Sequence, residues 1–131
     1  MDRFDDEIEN LITEVIGALI EVHRHLGPGQ KEVVYSRALA HELTLRGIPF
    51  EREHRFVVHF KDVEVGEGSI DFWIGKRLAL ELKVANALDE ANVSQVVFYL
   101  ANTKEPVGLL ANMNVPVMKS GIRRVIRTPF A

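Results

Sequence analysis

Residues 69–84, SIDFWIGKRLALELKV, read as two strands, Ser69–Ile74 and Leu78–Val84, joined by a short turn at Gly75-Lys76-Arg77. Alternate side chains of an extended chain share a face. Ala79, Glu81 and Lys83 therefore point one way, and Leu80, Leu82 and Val84 the other. A surface salt bridge is the ordinary account of such a charged pair, and it contributes at most about 1 kcal/mol. Asp71 raises the same question, because Asp disfavours strands and this one precedes the bulky Phe72, Trp73 and Ile74. Opposed residues of an antiparallel pair share a face, so the loop length decides where the carboxylates meet. A two-residue loop at Gly75-Lys76 pairs Asp71 with Leu80 and sends Glu81 to the far side. A three-residue loop, Gly75 to Arg77, sets Asp71 across from Glu81. That loop, or a bulge of equal effect, is expected.

Two carboxylates that converge repel each other unless a cation lies between them or one is protonated. Oxygen ligands without cysteine favour a hard ion, Mg²⁺ or Mn²⁺. Lys83 beside them is suited to charge developing on a phosphate or to activating a water.

Helical periodicity marks the segments around this hairpin. Ile8, Leu11, Ile12, Val15, Ile16, Leu19 and Leu26 predict a helix over 5–26, stopped by Gly27-Pro28-Gly29. A second helix is predicted over 30–46, closed by Gly47 and Pro49, then a strand over 50–60 and a turn at Lys61-Asp62. Asp89 is the expected N-cap of a helix running to about Ala101. Strands over 107–112 and 122–127 close the chain. The order predicts an α/β fold, a mixed β-sheet flanked by helices, in a single domain over 1–131.

Further polar residues stand out on these helices. The second helix has an apolar stripe of Tyr35, Leu39 and Leu43, and one turn earlier it meets Glu32. The ordinary reading of Glu32 is a solvated first-turn acid that favours the helix dipole. Asn92, Gln95 and Tyr99 form a neutral polar stripe opposite Val93, Val96, Val97 and Leu100, where a solvated face would normally carry charges. The five histidines fit no ligand pattern and read as structural or solvated.

Composition limits the function. The 47% hydrophobic and 27% charged residues are those of a soluble globular domain, and no apolar run reaches the roughly 20 residues of a spanning helix. The acidic start MDRFDDEIEN is unlike a signal peptide, which points to the cytoplasm and to no membrane partner. The net charge of −3 gives no global basic field for nucleic acid, so phosphate contacts would have to come from local cations. Lys76, Arg77, Lys119, Arg123, Arg124 and Arg127 are the candidates, with surface solubility as the plain alternative.

Asp71, nine residues, Glu81, one residue, Lys83 resembles the D…ExK signature of the PD-(D/E)xK nuclease superfamily. Gly29 to Tyr35, GQKEVVY, reads as GxxExxY, and the chain is similar nearly end to end to the branch named for that motif. The resemblance implies a restriction-endonuclease-like core. It implies a divalent ion held by Asp71, Glu81 and the Leu82 carbonyl, with Lys83 on the water or scissile phosphate. It also implies catalytic parts for Glu32 and Gln95, and supporting parts for Gly29, Tyr35, Asn92 and Tyr99. That branch commonly has His three residues before the Gln, and Asn92 stands there without its proton-carrying ring. The implied activity is Mg²⁺-dependent hydrolysis of phosphodiester bonds, in DNA more than RNA. The alternative is a non-catalytic protein of the same fold acting as an assembly partner, with a homodimer through the apolar first helix as one form. Glycoside hydrolysis explains the two carboxylates but leaves Lys83 without a role.

Overall fold

A computed structural model describes residues 4–127. Helix α1 spans Asp6–Leu26. The Asp5 carboxylate accepts from the Ile8 amide at 2.9 Å, and acids in the first turn with His23, Arg24 and His25 in the last complement the helix dipole. Gly27 ends it at φ 67°, its amide donating to the His23 carbonyl. Helix α2, Glu32–Leu45, buries Tyr35, Leu39 and Leu43, as their spacing predicts. Strands β1 (Phe50–Phe60), β2 (Val63–Ile74) and β3 (Leu78–Lys83) follow. Helix α3 (Glu90–Thr103), β4 (Val107–Asn112), a 3₁₀ turn at Met118–Gly121 and β5 (Ile122–Ile126) complete the order.

The five strands lie in the order β1-β2-β3-β4-β5, antiparallel except for the β3–β4 pair, which α3 connects as a crossover. The sheet is mixed and flanked by helices on both faces, as expected. Ile8, Ile12, Val15 and Leu19 of α1 and the stripe of α2 pack on Phe72, Ile74, Leu78, Leu80, Leu82 and Leu109. Val96, Tyr99 and Leu100 of α3 cover Ile70, Ala79, Leu110 and Val125 on the other face. The apolar side of α1 is thus used to cover the sheet.

β2 begins six residues earlier than predicted. Gly66 and Gly68 argue against a strand over Val63–Ser69, but β1 pairs with that stretch and sustains the extension. Strand alternation puts Phe56, Val58 and Phe60 of β1 on one face. The register shifts between Val58 and His59, and Phe60 at the hairpin tip is exposed.

Candidate functional site

The β2–β3 turn has three residues. Ile74 pairs with Leu78, Trp73 with Ala79 and Phe72 with Leu80, and the Arg77 amide donates to the Ile74 carbonyl at 3.1 Å. Gly75 and Lys76 both take positive φ. This register brings Asp71 level with Glu81.

The ladder stops there. In place of backbone bonds, the Asp71 amide donates to Glu81 Oε1 at 2.9 Å, and the Leu82 amide donates to Asp71 Oδ2 at 2.8 Å. The cause lies in β1 and β2. Arg52 pairs with Phe72 and His54 with Ile70, while Glu53 and Asp71 fall between these pairs. In regular strands Ile70 and Phe72 would share a face, yet Phe72 packs toward α1 and α2, and Ile70 toward α3. Both strands roll over at Glu53 and Asp71, and Glu53 has φ 51°. The roll parts β2 from β3 and frees the Asp71 side chain for β3.

Glu81 is only 2% exposed, with Lys83 Nζ 3.5 Å from its Oε2. Burial, and then the Asp71 charge, push the Glu81 pKa up to about 7. Burial also raises Asp71, against the pull of the Leu82 amide and Lys83. Glu32, the first residue of α2, feels the same charges. Burial and Asp71 raise its pKa and Lys83 lowers it, so its carboxylate stands within electrostatic reach of both.

The position of Glu32 follows from the loop before it. Gly29 has φ 99°, a conformation few side chains tolerate. The buried Tyr35 hydroxyl donates to the Gly27 carbonyl at 2.5 Å and accepts from the Gln30 amide at 3.1 Å. These contacts give the Gly29, Glu32 and Tyr35 spacing its physical sense: a glycine-dependent bend, an acid at the helix start, and a phenol that ties the bend to α2.

Other predicted residues are dispersed. Asn92 closes a capping box with Asp89, at 3.0 and 3.1 Å, so its amide serves the start of α3. Gln95 is exposed and lines a groove with Glu67, Gly68, Ser69 and Phe98. Tyr99 does not share an outer stripe with them. It is buried against Phe56 and Trp73, with its hydroxyl bonded to His54 Nδ1. His23, also buried, bonds to the Val115 carbonyl.

Arg77 lies about 13 Å along the strand from Glu81. There Asp5 grips it through both carboxylate oxygens at 3.0 Å, and Glu105 bonds its Nε at 3.1 Å. Arg124 is held by Glu9 of α1 at 2.6 and 3.0 Å. Lys76, Lys119, Arg123 and Arg127 are exposed.

Sequence reasoning missed the wall opposite. Glu53, Arg52 and Ser36 join Glu32, Val33 and Asp71 around a cleft of about 270 Å³. The available signal was Glu51-Arg52-Glu53, three successive charges in a strand, which no alternating pattern accommodates.

Among the described residues, no group of three or more His, Cys, Asp or Glu side chains is gathered to hold a metal. The donors that do fit a hard cation are Asp71, Glu81 and one backbone oxygen. A strand residue's amide and carbonyl point to the same neighbouring strand, so the Leu82 carbonyl shares the side on which its amide meets Asp71. The set is all oxygen, anionic and beside a lysine, which suits Mg²⁺ or Mn²⁺ chemically. Among the described residues, no helix is long and apolar enough to cross a membrane.

No curated protein matches the chain. A family comparison matches residues 9–125, from α1 into β5, to the PD-(D/E)XK nuclease superfamily. The mixed five-stranded sheet agrees with the fold of that superfamily. With the match covering most of its length, the chain belongs to the PD-(D/E)XK nuclease superfamily.

Proposed function

We propose that the protein is a divalent-metal-dependent nuclease that hydrolyses phosphodiester bonds, in DNA more than RNA. The observation that carries this reading is the buried Glu81 carboxylate, joined to Asp71 by two backbone amides where β2 parts from β3. A carboxylate in a core strand is unfavourable unless it is neutralised, and here the nearby charge is a second acid and a lysine.

Asp71, Glu81 and the Leu82 carbonyl would hold Mg²⁺ or Mn²⁺. The ion, when bound, supplies a lowered pKa for the attacking water and charge neutralisation at phosphorus. The Asp71 amide holds the Glu81 carboxylate and the Leu82 amide holds that of Asp71. Lys83 presents an ammonium beside Glu81, placed to stabilise negative charge on the phosphate. Glu32, at the rim and shifted toward the protonated form, is suited to accept a proton from water or to orient it. A catalytic part for Gln95 rests on the superfamily resemblance alone, since it lines a groove with Glu67, Gly68, Ser69 and Phe98 and not the Asp71 cleft. Of the cations predicted from sequence, Lys76, Lys119, Arg123 and Arg127 are exposed and would supply phosphate contacts.

Incubation with linear, circular and single-stranded DNA and with RNA, each with Mg²⁺ or Mn²⁺, tests the reading. Cleavage is expected, and it should disappear in Asp71→Ala and Lys83→Ala. Cleavage unchanged by both substitutions would refute this site. Nucleic-acid binding without cleavage would favour the non-catalytic alternative.

A further inference from the structure

We infer that Arg52 binds a phosphate of the polynucleotide flanking the scissile position, so that the substrate strand leaves the candidate centre across the β1 edge of the sheet. The inference rests on the nuclease reading above and extends it to a residue and a direction.

Most arginines near the sheet already have their charge met. Arg46 is held by Glu42 and Glu14, Arg55 by Glu67, Arg77 by Asp5 and Glu105, and Arg124 by Glu9. Arg52 differs. Its Nη2 donates to the Ser36 hydroxyl at 2.7 Å, and its guanidinium lies 5.9 Å from the centre of the Phe72 ring. Among the described residues no carboxylate pairs with it. A hydroxyl and an aromatic face fix the direction of the fork without neutralising it, and most of its five N–H donors remain available. A planar, oriented and unneutralised guanidinium is suited to a phosphate.

Its place supports the same conclusion. Arg52 lines the cleft that contains Asp71 and Glu32. Glu81, Asp71 and Arg52 stand on β3, β2 and β1, three successive strands, and Arg52, which pairs with Phe72 across from Leu80, is only one residue off the level of Glu81. Two strand spacings amount to about 10 Å. That separation suits a neighbouring phosphate better than the scissile one. Glu32 and Glu53 line the same cleft and oppose an anion, so Arg52 is the cation that lets the backbone pass between them.

The test compares wild type, Arg52→Met and Arg52→Lys in two assays. One is binding of a labelled oligonucleotide of the cleaved type, with Ca²⁺ in place of Mg²⁺, over a salt series. The other is steady-state cleavage in Mg²⁺. Arg52→Met should weaken binding about tenfold, raise KM with little change in kcat, and lower the salt slope by about one. Arg52→Lys should keep the slope, because the charge stays, and weaken binding several-fold through loss of the fork. A role confined to packing would leave the salt slope of Arg52→Met at the wild-type value. Wild-type cleavage with wild-type affinity and slope in Arg52→Met overturns this inference alone. If Arg52→Met does not fold, wild-type affinity in Arg52→Lys overturns it. A wild type that neither binds nor cleaves any polynucleotide overturns the nuclease reading and this inference with it.

Discussion

β3 and the outer half of the β1–β2 hairpin belong to one sheet and obey opposite rules. β3 is covered on both faces, and five of its six residues are buried. Around the hairpin tip, Phe60, Val63 and Val65 are 65%, 62% and 59% exposed, and among the described residues no helix covers them. An apolar residue at a surface is common and says little, whereas a carboxylate inside a core strand requires a reason. Glu81 is therefore informative in a way that three exposed apolar side chains are not. The two regions meet at Glu53 and Asp71, where β1 and β2 roll over and the covered part of the hairpin begins.

The sharpest way to break this contrast is through chemistry. Glu81→Ala should reduce cleavage about a thousandfold or more while the fold survives, since the ion's contribution amounts to several kcal/mol. Single-turnover cleavage with a parallel melt checks this, and substantial residual activity would make the buried carboxylate merely structural. Leu80→Ala, one position away and fully buried, should destabilise by about 2–5 kcal/mol in denaturant unfolding.

The pH dependence is next in size. Folding raises the Glu81 pKa from 4.5 to about 7, so the folded state holds its proton more tightly than the unfolded chain. This contribution is fully present below about pH 4.5 and is lost as pH rises through about 7. It is on the order of 3 kcal/mol. Metal-free protein should therefore lose stability from pH 4.5 to 7, and Glu81→Gln should flatten that slope. Melts across this range in chelator check the prediction, and an equal slope in both proteins would contradict it.

Tyr35→Phe should destabilise by about 1–2 kcal/mol, because the Gln30 amide and Gly27 carbonyl lose their partner. If Glu32 acts from the position this loop gives it, cleavage should also fall, and the melt and the rate separate the two effects. The smallest effect belongs to the hairpin: Val63→Ser should stay within about 0.5 kcal/mol of wild type. A larger loss there would mean that the exposed face is covered by something else.

Much of the frame was legible in local pattern. Helical spacing of apolar residues gave α1 and α2, Asp89 marked the start of α3, and the parity of Asp71 against Glu81 called for a three-residue turn or an equivalent bulge. The beginning of β2 was not legible, because its glycines argue against a strand until β1 lies beside it. The polar stripe on α3 misled for a related reason. Helical spacing places Tyr99 with Asn92 and Gln95, but His54, 45 residues away, satisfies the Tyr99 hydroxyl and lets the ring enter the core.

By itself the sequence determined which side chains could hold a cation and, through strand alternation, that Asp71 and Glu81 could meet. Only the tertiary structure decided which cations stay free. Arg77 is held by Asp5 across 72 residues and Arg124 by Glu9 across 115, while among the described residues Arg52 bonds to Ser36 and lies by the Phe72 ring with no carboxylate paired to it. The physical reason is range. Periodicity records the few residues around a position, whereas charge compensation depends on what packing brings within a few ångströms from anywhere in the chain.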